Sequence, residues 1–484
     1  MALLETLKNR IGGTDRSLKA GLGYTVGNML VRGISFLTLP IFSRLMTEHE
    51  FGVFNVFLSY EAVLFVVVGL ALHSSVKSAN YEFPGKIDEY TSSVSIIYWI
   101  GFGVLFAAAA AFGRLLTGPL GIPYPAILML VCFSFGSAVV TLYNERLSLN
   151  YSYVRYMVVA LINSLGSVGL SLLLMVTVFS EHRDMGRIVG ASAVFMALGV
   201  AIMFGFYRKA RPRPVRAYWR FGVKYSSPII PHGLSQVLLG QCDRVMIKSM
   251  VSFSAAGIYS LAGNINLILT VIAASVDAAW SAWFFEQMNG GKIAAIKHRA
   301  KNFALVFTIL TVGLMAISPE LVYFFGGARY DAARYVAVPL ILDAFVLFLY
   351  NIVIASEYYL KKTRFIMLGT LIAAGINIVL NYVFILRFGY VAAAYTTLFS
   401  YLCYLALHVG LSRKFLGTFV LDPGWIIGTF AVCAASGAFF LGYTHHIVIR
   451  YVFCLVVVII VGLAPMRRRK GQGPIPAEDG DIRE

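Results

Sequence analysis

Charge is what this 484-residue chain has least of: 13% of its residues are Asp, Glu, Lys or Arg, and 59% are apolar. An ordinary soluble domain is about 25% charged. A larger core cannot absorb that deficit, because a soluble domain must still cover its surface with polar groups. Motifs for chemistry are missing too. No HExxH, nucleophile elbow, P-loop or paired loop carboxylate occurs, and the loops are too short for a soluble catalytic domain, so no enzyme is expected. Cys132, Cys242, Cys403, Cys433 and Cys454 all lie in apolar runs and none forms a CxxC pair; they read as small buried residues, with no metal site. The stretch from Met1 to Lys19 carries Lys8, Arg10, Arg16 and Lys19 without an apolar segment, unlike a signal peptide.

What the chain has instead is a succession of apolar runs, each about 20 residues long, enough to cross a bilayer as a helix. Spans are expected near 20–45, 53–77, 91–113, 124–145, 156–179, 187–207, 225–248, 255–285, 303–325, 335–358, 365–386, 389–411, 425–443 and 447–466. The runs are too long, and alternate too little, for barrel strands. The expected fold class is an all-α integral membrane protein of about fourteen transmembrane helices. Of the 40 Lys and Arg residues, 29 fall in loops and tails on the N-terminal side and 9 on the other; Arg32 and Arg244 remain inside spans. The positive-inside rule then places both termini in the cytoplasm. The net charge of +17 is mostly this orientation signal, and no nucleic-acid partner is expected.

The chain contains a diverged copy of itself. Residues 45–54 (LMTEHEFGVF) align with 250–259 (MVSFSAAGIY), setting Gly52 on Gly257 and Phe54 on Tyr259 at an offset of 205. A weaker match sets Arg155-Tyr156-Met157 on Arg364-Phe365-Ile366 at an offset of 209. Six spans separate the copies, so they enter the membrane in the same direction, as parallel repeats do in several transporters. The expected organisation is a cytoplasmic segment (1–19), an N-lobe of six spans (20–207), a basic linker (208–224), a C-lobe of six spans (225–411), two further helices (412–466) and a cytoplasmic tail (467–484). Arg211-Pro212-Arg213-Pro214 predicts an extended linker. Two pseudo-symmetric lobes suit alternating access to a central site better than a static scaffold.

Polar residues within spans are costly and mark candidate sites. Thr25, Asn28, Arg32 and Ser35 share one face of the first span. In the seventh, His232, Gln236 and Asp243 share a face beside Gln241, Arg244 and Lys248; in the eighth, Asn266, Thr270, Asp277 and Ser281 line up. Glu61 falls on Asn266 at the repeat offset, and Asp343, Tyr350 and Glu357 recur every seven residues in the tenth span. Some have plain readings: Lys248 snorkels, Glu357 pairs with Lys361 and Arg364 at the interface, and Asn377 and Asn381 hydrogen-bond between helices. A buried cation such as Arg32 needs either an internal carboxylate, Glu61 or Asp277, or an anionic substrate. Guanidinium stays charged when buried and offers a planar fork to phosphate oxygens. The substrate-binding candidates are Arg32, Asn28, Arg244, Gln241 and Asn266. Glu61, Asp243, Asp277 and Asp343 are candidates to balance charge or carry a coupling proton or sodium ion.

The run NMLVRGISFLTLPIFSRL from Asn28 to Leu45, followed by Glu50-Phe51-Gly52, resembles the opening helix of the Wzx-type polysaccharide flippases, members of the multidrug, oligosaccharidyl-lipid and polysaccharide exporter superfamily. Asp243-Arg244 with AGIYSLA (256–262), FGGARY (325–330), NIVLN (377–381) and FGYVAAA (388–394) extend the likeness over most of the chain in order and spacing. The resemblance implies a two-lobe fold of fourteen helices in the bacterial inner membrane. It implies movement of a polyprenyl-diphosphate-linked oligosaccharide to the outer leaflet through a cationic cavity during O-antigen, capsule or exopolysaccharide synthesis. It also implies drive by a proton or sodium gradient or the membrane potential, no cofactor, and polysaccharide polymerase and chain-length machinery as partners beside the lipids. The resemblance further implies that the last two helices form a groove for the lipid tail. Asp243 and Asp277 near Arg244 depart from a purely cationic cavity. The rival on the same fold is a drug or cation antiporter, which favours carboxylates and aromatics without a buried Arg. A glycan polymerase or ligase needs a larger outer loop than residues 318–334 provide.

Overall fold

The computed structural model describes residues 16–469. They form sixteen α-helices. In order these are α1 (Arg16–Leu45), α2 (Glu48–Gly69), α3 (Val76–Glu82), α4 (Ile87–Leu120), α5 (Tyr124–Leu149), α6 (Tyr153–Thr177), α7 (Arg183–Lys209) and α8 (Arg216–Ser226). Then come α9 (Ile229–Met250), α10 (Phe253–Asn289), α11 (Ile293–Gly326), α12 (Ala333–Tyr359), α13 (Thr363–Phe388), α14 (Val391–Leu416), α15 (Pro423–Gly442) and α16 (Ile447–Arg469). All but α3 and α8 are 20 residues or longer, and each expected span coincides with one of these long helices. An all-helical chain is what a bilayer demands, since every backbone N–H and C=O must be bonded within the segment.

Among the described residues, eleven helices are long and apolar enough to cross a membrane, and Ile447–Leu463 is a shorter apolar stretch. The two remaining long helices, α1 and α9, open the two copies of the repeat and carry Arg32 and Arg244. In α9 the polar content includes the candidate residues Gln241, Asp243 and Arg244.

The repeat is visible in backbone geometry as well as in sequence. Thr47 caps α2 by accepting the Glu50 N–H at 3.2 Å, and Glu50 returns a bond to the Thr47 N–H at 2.8 Å, a reciprocal capping box. Ser252, which the repeat sets on Thr47, accepts the Ala255 N–H at 3.1 Å in the same way. The second match is repeated by its turn. Tyr151 (φ 54°) and Lys361 (φ 57°) are both left-handed non-glycine residues, and each is followed by the same six-residue closure: Ser152 N–H to Leu147 O (3.1 Å) and Lys362 N–H to Glu357 O (2.8 Å). The backbone thus pairs Tyr151 with Lys361, one position beyond the Leu360 that the side-chain match indicates.

Two boundaries differ from the sequence expectation. The second span breaks after Gly69, where Leu70 (φ 45°) and Ala71 (φ 50°) turn the chain into a short 3₁₀ segment, Leu72–Ser75, ahead of α3. The linker is extended only over 211–215; α8 follows because Tyr218, Gly222 and Ser226, four apart, give it one buried face. The Tyr218 hydroxyl donates to Glu89 (3.2 Å) and the Trp219 indole N–H to Ser93 O (2.9 Å). The expected division between 365–386 and 389–411 is present: α13 and α14 are separate helices because Gly389 adopts φ 74° between them.

Two compact units divide the described chain. One comprises residues through Asn264 with Phe324–Tyr330 and Met367–Thr396; the other comprises Ile265–Tyr323, Asp331–Ile366 and the chain from Thr397 onward. In the first unit Tyr90, Tyr98, Phe135, Val139 and Met203 form a core between α4, α5 and α7, while α6 is peripheral, with 6% of its apolar window buried. In the second unit α12 is central, with 89% of its window buried. Phe348 stacks on Phe307 at 3.7 Å, and the Trp280 indole donates to Ile352 O at 3.0 Å.

Candidate functional site

In the first unit, Arg244 projects from α9. Its Nε donates to Ser260 Oγ on α10 at 3.2 Å, and one terminal nitrogen reaches Gln241 Oε1 and the Gly240 carbonyl. Gln241 Oε1 also accepts the Ser59 hydroxyl of α2 at 3.3 Å. Gly263 makes room for this guanidinium: a Cβ there would lie 3.3 Å from Arg244 Nη2. All of these direct partners are neutral, so the hydrogen bonds orient the guanidinium without neutralising it.

The adjacent Asp243 is only 5% exposed. It accepts the Tyr259 hydroxyl at 2.6 Å and Asn381 Nδ2 at 2.7 Å. Asn381 donates also to Asn377 Oδ1 (3.1 Å) and accepts the Thr396 hydroxyl. Asp243 thus ties α9 to α10 and α13. Asn377 and Asn381 are both fully buried, and Asn381 hydrogen-bonds between helices, as expected, but it centres on a carboxylate that the sequence did not connect to it.

Arg32 is exposed on α1 and has no ion pair or hydrogen bond with a described side chain. The Asn28 side chain lies outside the described residues. Glu61 on α2 is held by a hydrogen bond from Ser137 on α5, and its Oε1 is buried with no partner among the described residues. In the second unit, Asn266 Oδ1 is likewise buried without a described partner, Asp277 bonds Ser281 one turn on, and Asp343 is 4% exposed on α12.

Lys248, near the end of α9, donates its Nζ to the exposed Pro119 O at 3.0 Å and sits 5.5 Å over the Phe253 ring. One plain reading is corrected. Glu357 does not pair with Lys361 or Arg364. Both it and His408 on α14 are fully buried, with Oε1 2.6 Å from Nδ1. Tyr350 and Tyr404 share a 2.6 Å hydroxyl contact beside them. The sequence did carry a signal for this cluster: Tyr404 and His408 share one face of α14, as Tyr350 and Glu357 do on α12.

Solved structures with this fold define the class. The lipid II flippase MurJ in an inward closed conformation matches with a TM-score of 0.71 at 14% identity, over 92% of this chain and 99% of that one. An inward-facing multidrug resistance MATE family transporter matches with a TM-score of 0.60, again at 14% identity, over 81% and 94%. The chain is therefore a multi-pass membrane protein with the fold of flippases and multidrug transporters rather than of an enzyme. Residues 17–288, more than half of the chain, match the family described as polysaccharide biosynthesis protein, and the chain belongs to that family. Among curated relatives, a probable low-salt glycan biosynthesis flippase of Haloferax volcanii is 21% identical over 401 residues, 82% of each chain. The Lsg locus putative protein 1 of Haemophilus influenzae is 20% identical, over 71% of this chain and 85% of its own.

Proposed function

We propose that the protein carries a polyprenyl-diphosphate-linked oligosaccharide from the cytoplasmic to the outer leaflet by alternating access, as a step in polysaccharide synthesis. The observation that carries this reading is the pair of guanidinium groups on the helices that open the two repeats. Arg244 is oriented by neutral partners, and Arg32 has no described ion-pair partner. A diphosphate is the complementary charge, and a guanidinium fork binds two of its oxygens at once. Asn28, Gln241 and Asn266 suit hydroxyl-rich sugar. Glu61, Asp277 and Asp343 suit charge balance or a coupling proton or sodium ion, whereas the bonds made by Asp243 favour a structural tie.

The family and the named glycan flippase support the substrate class. The excess of basic residues on one side supports cytoplasmic termini in a bacterial inner membrane. Polymerase and chain-length proteins would then act on the delivered product. In cells lacking the native protein, Arg32→Ala and Arg244→Ala should each abolish surface glycan while the protein stays at wild-type abundance in the membrane. Full export by both variants would remove the reading. Ethidium efflux without glycan export would turn it toward the antiporter.

A further inference from the structure

A cationic cavity lies within the first unit; Ser35, on the Arg32 face of α1, lines it, but none of the residues proposed above for substrate or ion binding does. It has a volume of about 240 Å³ and is bordered by α1, α2, α5, α6 and α7. Arg187 is its charged group; no carboxylate lines it. The guanidinium carbon lies 3.9 Å from the ring centroids of both Phe42 and Phe54, which hold it in place. Among the described residues Arg187 has no ion pair, and its one side-chain hydrogen bond runs to the weak acceptor Met46 Sδ at 3.7 Å. The nearby carboxylate of Glu50 is committed elsewhere, to the capping box of α2 and to the Arg183 N–H at 2.9 Å.

Two of the polar groups that α6 adds to the lining are unsatisfied. Asn163 and Ser167, four residues apart on one face, each have a buried oxygen, Oδ1 and Oγ, without a hydrogen-bond partner among the described residues. A hydroxyl donates by rotation, and a side-chain amide presents either its oxygen or its NH₂ by flipping end for end. Ser171, one turn further, is spent: its hydroxyl donates to the Arg187 carbonyl at 3.2 Å and ties α6 to α7.

A guanidinium with at least four unused N–H donors, no counter-charge and two adaptable neutral donors lacks one thing, an anion. We infer that this cavity binds a small anion, with Arg187 supplying the charge and Asn163 and Ser167 supplying hydrogen bonds. A halide with attendant water and the carboxylate of an acidic sugar share this chemistry and both fit the volume. The aromatic faces of Phe42 and Phe54 fix the cation without competing for its N–H edge, which leaves that edge for the ligand.

The test is thermal unfolding of the full-length protein in nanodiscs, at constant ionic strength, as sodium isethionate, which is neither a halide nor a carboxylate, is replaced first by sodium chloride and then, separately, by sodium glucuronate. The site requires a saturable rise in Tm with at least one of the two. Chloride alone identifies a free halide site, and glucuronate identifies a sugar-acid site. Ser167→Ala should fold normally and weaken the saturation constant about tenfold, the loss of one hydrogen bond to a charged group. Arg187→Met should remove the dependence. A wild-type Tm that follows neither anion, or a dependence that survives in Arg187→Met, overturns the inference. Neither measurement requires transport, so the outcome is separable from the proposed function.

Discussion

Gly52 and Gly257, which the internal repeat aligns, pack against each other where α2 and α10 begin. A Cβ built on Gly52 would overlap the Phe253 carbonyl oxygen and lie 3.0 Å from the Gly257 nitrogen. One built on Gly257 would overlap the Glu48 carbonyl and lie 3.1 Å from the Gly52 nitrogen. The repeat thus meets itself at a crossing that only glycine permits, since small residues let membrane helices approach backbone to backbone.

Alanine at either glycine should therefore part the two helix starts, at a cost of about 1–3 kcal/mol for overpacking. Once one alanine has opened the crossing, the second should add little, so a double-mutant cycle in thermal or denaturant unfolding should show strong non-additivity. Gly33→Ala is the control: its Cβ meets nothing within 4 Å and should be neutral. Additive losses, or none, would mean that the crossing does not constrain the helices.

The Asp243 cluster should behave as a structural tie. Tyr259→Phe removes one of its bonds and should cost about 0.5–1.5 kcal/mol; Asp243→Asn, which turns an N–H toward a donor in a buried site, should cost about 1–3 kcal/mol or more. The two should be non-additive because they share one interaction. Stability close to wild type in Asp243→Asn, with transport lost, would instead favour an ion-coupling role.

Glu357 and His408 are both fully buried, so removing one partner leaves the other desolvated and unpaired. Glu357→Ala should destabilise the protein by about 3–5 kcal/mol. Glu357→Gln, which keeps shape and one hydrogen bond to the imidazole, should cost clearly less. Equal losses for the two, read by unfolding midpoint, would show that packing and not the polar pair sets the stability here.

Much of this architecture can be read from the chain before any coordinates. Apolar length alone placed the fourteen long helices, because a bilayer allows few alternatives. The repeat was legible through Gly52 and Gly257, and the Thr47-x-x-Glu50 signature of the capping box was there to be read as well. What escaped was partnership across long sequence separations. Glu357 stands close in sequence to Lys361 and Arg364, yet its partner His408 is 51 residues away. Asp243 meets Asn381 across 138 residues. Local spacing shows which face of a helix a residue occupies but not which helix packs there. The two prolines before α8 also hid a short helix whose buried face is small, Tyr218, Gly222 and Ser226.

The central claim is that Arg32 and Arg244 receive a diphosphate. Its most direct measurement is the transbilayer rate of a labelled polyprenyl-diphosphate sugar in proteoliposomes of defined lipid composition. Wild-type protein should move the lipid, and Arg32→Gln and Arg244→Gln should each slow it by about a hundredfold, the loss expected when one charged partner of a desolvated contact is removed. Wild-type rates in both variants would contradict the account.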